Sequence, residues 1–158
     1  MDWSDSAVQA TFRNEVRSVI VASLPVRYHT GGGSWEHDRR SENPEAVAAA
    51  SAWSDALAER GWIAPHWPKE YGGAGLSPME QFIFKQEMSL AAAPSVGGQG
   101  VSQLGPTLIV HGTDEQKAEH LPKICQERLI GGKDILSRGR DQILHRFKHV
   151  PSGMVMST

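Results

Sequence analysis

Apolar residues recur at helical spacing through most of residues 1–126, and Gly/Pro-rich breaks separate one run from the next. Ser4 is a candidate cap for a first helix, with Val8, Phe12, Val16, Val19 and Ile20 on one side and Pro25 at its end. From Tyr28 to Glu42 the chain reads as a loop, Gly31-Gly32-Gly33 leading into a charged stretch from Glu36 to Arg40. Asn43-Pro44 then offers an N-cap and a proline at the first helical position, where a missing N–H costs nothing. That second helix carries Val47, Ala50, Trp53 and Leu57 on one face and stops at Gly61.

The connection from Trp62 to Gly75 holds three aromatics and two prolines, the composition of a fixed, packed loop. Ser77-Pro78-Met79-Glu80 is a capping box, and its helix should run to about Ala92 and bury Met79, Phe82, Ile83 and Leu90. After Pro94 and Gly97-Gly98-Gln99-Gly100, a helix from about Val101 to His111 is apolar on most sides, which predicts a central position. Thr113-Asp114-Glu115-Gln116 is a second capping box, opening a helix that should bury Ala118, Leu121 and Ile124 and be kinked or shortened by Pro122. Five helices and no convincing strand predict an all-α bundle of about five helices over residues 1–126, followed by an irregular tail over 127–158.

Composition narrows the functional classes. A chain of 158 residues with 39% hydrophobic and 22% charged residues suits one soluble globular domain. The net charge of −2 gives no reason to expect nucleic acid or a membrane surface as partner. A single cysteine, Cys125, cannot form an internal disulfide, and Met1-Asp2-Trp3-Ser4-Asp5 is too acidic to open a signal peptide. The run Val19 to Ala22 is too short to span a bilayer, so a cytoplasmic location is expected.

Chemistry-bearing motifs are sparse. Gly97-Gly98-Gln99-Gly100 precedes a helix, yet no strand leads into it and no Lys-Ser/Thr follows, which favours a hinge over a phosphate loop. No two of the seven histidines stand four apart with a carboxylate between, so no metal site is expected, and His66 and His111 read as structural. No Gly-x-Ser-x-Gly elbow is present, and Cys125 lies on an apolar face where an inert thiol is the default. Glu80 serves its cap, and Glu87 should meet a basic residue or solvent. No catalytic residue stands out.

The stretch from Gly61 to Ser77, with Gly61-Trp62, Pro65, Pro68 and Glu70-Tyr71-Gly72-Gly73-Ala74-Gly75, resembles the acyl-CoA dehydrogenase family, whose N-terminal domain carries such a connection between its second and third helices. The match continues through Gln81-Phe82-Ile83-Phe84, Glu87-Met88, Gly105-Pro106-Thr107-Leu108-Ile109, Gly112 to Lys117 and Leu121-Pro122-Lys123-Ile124, in the family's order and spacing. The resemblance implies a helical domain that, with a β-barrel and a second helical bundle, encloses FAD and an acyl-CoA thioester. The implied reaction, part of fatty acid metabolism, removes hydrogens from the α and β carbons: a carboxylate takes the α proton and the flavin accepts the β hydride. By position it assigns Gly98, Gln99 and Ser102 to the acyl-facing wall, Gln99 being the one large polar group there. The bare residues leave a helix-packing turn equally open for each.

Past about Gln126 the family pattern stops. The family next expects a flavin-contacting segment of the form Gln-Gly-Tyr-Ser-Glu-Pro-Gly-Ala-Gly-Ser-Asp, and the residues in its place, which are more basic than acidic, do not match. Written back into codons, Asp134-Ile135-Leu136-Ser137-Arg138 can be GAT-ATT-CTG-AGC-CGG. Entered one base earlier, that string reads Gly-Tyr-Ser-Glu-Pro. The same shift, with allowed codons throughout, carries Lys133 to Thr158 through the whole expected continuation. The expectation is a frameshift between about Gln126 and Gly132. The flavin-binding strands and the catalytic base would then lie beyond the break, so the chain alone should bind no FAD and turn nothing over. Two readings follow: an inactive or separately completed dehydrogenase fragment, or a helical docking module for a paralogous subunit or a second copy. The apolar surface that normally meets the barrel would be left open in either.

Overall fold

The computed structural model describes residues 4–29 and 31–125, and the expectation of an irregular tail over 127–158 falls outside them. Six helices follow one another: α1 Ala7–Ser23, α2 Trp35–Asp38, α3 Pro44–Ala58, α4 Pro78–Leu90, α5 Gly105–His111 and α6 Asp114–Cys125. Among the described residues there is no strand, so the chain is all-α as its pattern predicts. Short 3-10 turns at Val26–Tyr28 and Lys69–Tyr71 and a π turn at Gly100–Leu104 join them.

The extra helix is α2, a single turn too short to show periodicity. Its Trp35 is buried, with the indole N–H donating to Ser54 Oγ at 2.7 Å and to the Ala50 carbonyl at 3.1 Å, which fastens it to α3. Asp38 is buried too and accepts two bonds from Arg27, at 2.7 and 2.9 Å. The stretch from Glu36 to Arg40 is therefore folded, not a solvated loop.

Helix starts follow the capping chemistry. Ser77 and Glu80 form the reciprocal box, as do Thr113 and Gln116. The first helix is capped by Ser6, not Ser4, because Gln9 stands three residues on and completes a box with it. The α6 helix runs unbroken past Pro122 through Cys125.

The core gathers Val16, Val19 and Ile20 of α1, Ala50, Trp53 and Leu57 of α3, Phe84 and Met88 of α4, and Leu121, Ile124 and Cys125 of α6. The connection after Gly61 packs into this core with Trp62, Ile63, Ala64 and Trp67 all buried, the fixed loop its composition predicts. Trp62 meets Phe12 edge-on at 6.1 Å and Phe84 at 5.4 Å between ring centroids.

Several expected core residues lie outside. Val8, Phe82 and Leu90 are exposed, as is Ala118, while α4 buries Ile83, Phe84, Glu87 and Met88. Phe82 sits opposite that stripe, and apolar character alone misassigned it. Nor is α5 central: Val110 is exposed, and only Gly105 of the helix is buried.

Glu87 explains the gap in the α4 stripe. It is only 4% exposed and accepts from Arg13 Nη1 at 2.6 Å and from Arg17 Nε at 2.7 Å, tying α4 to α1. Burial pulls this carboxyl upward, but the hydrogen bonds from Arg17 and Arg13 outweigh it and hold it below the ordinary carboxylate range.

Candidate functional site

The glycine-rich segment is bent back on itself. Gly97 has φ +113° and Gly98 φ +49°, left-handed backbone that side chains disfavour, and a Cβ on Gly97 would come 2.7 Å from Val101 Cγ2. The chain then enters the π turn Gly100–Leu104, in which the Gly105 N–H reaches back to the Gly100 carbonyl. Pro106 gives the reason. It has no N–H for the Ser102 carbonyl, and its ring would crowd that carbonyl in a continuous α-helix, so the wider turn accommodates it. An uninterrupted helix from Val101 was expected; the Gly105-Pro106 pair was the signal against it.

The turn is seated on Trp67. Ring atoms of Trp67 lie so close to Gly105 that no Cβ fits there, and at Gly73 a Cβ is excluded by the Trp67 carbonyl and Cβ. The motif-bearing connection thus sets where the π turn and α5 sit.

On the outer side of this turn the structure brings together Gly98, Gln99 and Ser102, all exposed, and adds Gln103 and Thr107, also exposed. The Ser102 hydroxyl donates to the Gly98 carbonyl at 3.0 Å, and the Thr107 hydroxyl to the Gln103 carbonyl at 2.9 Å. Both hydroxyls keep only acceptor lone pairs toward solvent. Leu104 and Leu108 are half-buried beside them. Sequence reading passed over Gln103, although its spacing of four from Gln99 marks it as a neighbour.

It also missed Glu36, which no local pattern links to this turn. A Cβ on Gly98 would lie 3.9 Å from a Glu36 carboxylate oxygen. Glu36 is held by Arg39 through two bonds at 2.9 Å and by Arg40 at 2.8 Å, and the hydrogen bond from Arg39 keeps its carboxyl below the ordinary range. An acidic group facing the glycine turn, with both nearby guanidiniums already engaged, does not suit the diphosphate of a dinucleotide. This glycine turn therefore does not fit the diphosphate of a flavin dinucleotide.

Elsewhere, burial pushes the Cys125 thiol up to about 11, and its Sγ contacts the Tyr71 carbonyl at 3.5 Å. Among the described residues no group of three or more His, Cys, Asp or Glu could hold a metal ion, and no helix is long and apolar enough to cross a membrane.

Fold and turn together define an all-α domain that presents a polar, solvent-facing ledge on a turn packed against Trp67. Residues 6–128 match the family described as Acyl-CoA dehydrogenase, N-terminal domain. The chain is 50% identical to acyl-CoA dehydrogenase FadE26 of Mycobacterium tuberculosis over 65 residues, 41% of this chain and 16% of that protein. It is 39% identical to acyl-CoA dehydrogenase IpdE1 of Mycolicibacterium smegmatis over 118 residues, 72% of this chain and 28% of that protein. Among solved structures, the ChsE4-ChsE5 complex from Mycobacterium tuberculosis superposes with a TM-score of 0.56 at 32% identity, over 82% of this chain and 30% of that one. The Tcur3481-Tcur3483 steroid ACAD superposes with a TM-score of 0.61 at 31% identity, over 82% of this chain and 32% of that one. The chain belongs to the acyl-CoA dehydrogenase family of FAD-dependent dehydrogenases, through that family's N-terminal helical domain. It spans under a third of the length of these relatives.

Proposed function

We propose that this chain is the N-terminal part of a cytoplasmic FAD-dependent acyl-CoA dehydrogenase, read out of frame from between about Gln126 and Gly132. Its role in the whole enzyme is to supply one wall of the acyl pocket through Gly98, Gln99 and Ser102. The family reaction is α,β-dehydrogenation of an acyl-CoA thioester, and this chain alone carries none of it. The observation that carries the reading is the run from Lys133 to Thr158, which one base of shift turns into the family's expected flavin-contacting continuation. In support, the family match ends at residue 128, close to where that shift begins. A domain that lends one pocket wall can neither preorganise a flavin nor abstract a proton by itself.

Two measurements test this. The nucleotide sequence must use codons compatible with the shifted peptide, and incompatible codons sink the frameshift. Purified protein should show no flavin absorbance (~450 nm for this class of cofactor) and no saturable FAD binding. Stoichiometric FAD would mean that the remaining residues or an oligomer complete a site, and catalysis would be reopened.

A second reading is favoured by the structural relatives, ChsE4-ChsE5 and Tcur3481-Tcur3483, which are two-component assemblies. In it the domain docks on an intact paralogous acyl-CoA dehydrogenase subunit, or on a second copy, and contributes surface without chemistry. Exposed apolar side chains such as Val21, Phe82, Leu90 and Val110 are available for such contact. Co-purification of a stable one-to-one complex with a co-expressed paralogue separates this reading from the first.

A further inference from the structure

We draw no further inference here: the strongest candidate, the outward side of α4 with its exposed Phe82 and Leu90, is an unpartnered apolar surface, and nothing in the structure shows what covers it.

Discussion

Glu87→Gln removes one charge from between α1 and α4 without changing the size of the side chain. The native carboxylate accepts from Arg13 Nη1 at 2.6 Å and from Arg17 at 2.7 and 3.1 Å. A glutamine with its carbonyl in the Oε1 position can still accept from both guanidiniums, but without the charge, and its NH₂ then faces the Arg17 Nε donor. A hydrogen bond to a charged group contributes about 1.5–3 kcal/mol. Arg17 is half exposed, so water replaces much of what it loses, and the cost is set by the well-buried Arg13 guanidinium, whose acceptor is no longer charged. The expected loss is about 2 kcal/mol, or a fall in Tm of roughly 6–10 °C for a domain of this size. Urea unfolding followed by circular dichroism at pH 7, with the m-value unchanged, measures it. A loss under about 0.5 kcal/mol, the scale of an ordinary surface substitution, would refute the claim that this carboxylate fastens α1. So would an Arg17→Ala variant that proved the more damaging of the two.

The same group sets an acid limit. Its folded value lies below the ordinary 4.5, so its stabilising contribution is complete above that pH and disappears as pH falls below it; Glu87→Gln should flatten the stability profile in that window. Gly105→Ala would drive a methyl group into Trp67, and should cost about 1–3 kcal/mol by overpacking; the cost should shrink in a Trp67→Phe background, which lacks the ring atoms that collide. Cys125, buried with its thiol pushed up to about 11, should react with a disulfide reagent at pH 8 only after urea unfolds the domain, and prompt labelling of native protein would contradict its burial.

Five of the six helices were legible because caps and breakers act locally. Ser77-Pro78-Met79-Glu80 and Thr113-Asp114-Glu115-Gln116 carry their own hydrogen-bond partners, and no distant residue is needed to form them. What escaped depends on contacts between segments. α2 exists because Trp35 reaches Ser54 and Ala50, and Glu87 occupies a core position because two arginines of another helix meet it there. Phe82 and Leu90 are as apolar as any core residue, and only the direction of α4 leaves them outside. At the candidate site, the resemblance assigned Gly98, Gln99 and Ser102, whereas Glu36 joins them from a segment far away in sequence. The π turn was written locally, in Gly105-Pro106, but as a constraint on carbonyls that apolar periodicity does not register.

Trp67 belongs to the connection after α3 and Gly105 to the start of α5, yet they compete for a single volume. In the currency of sequence divergence this makes the two positions one character. A larger residue at 105 becomes admissible only after the indole has gone, and loss of the indole leaves a void that a glycine cannot fill. Homologues should therefore exchange these residues in pairs, and hybrids that join the connection of one lineage to the α5 of another should misfit at this point before any other.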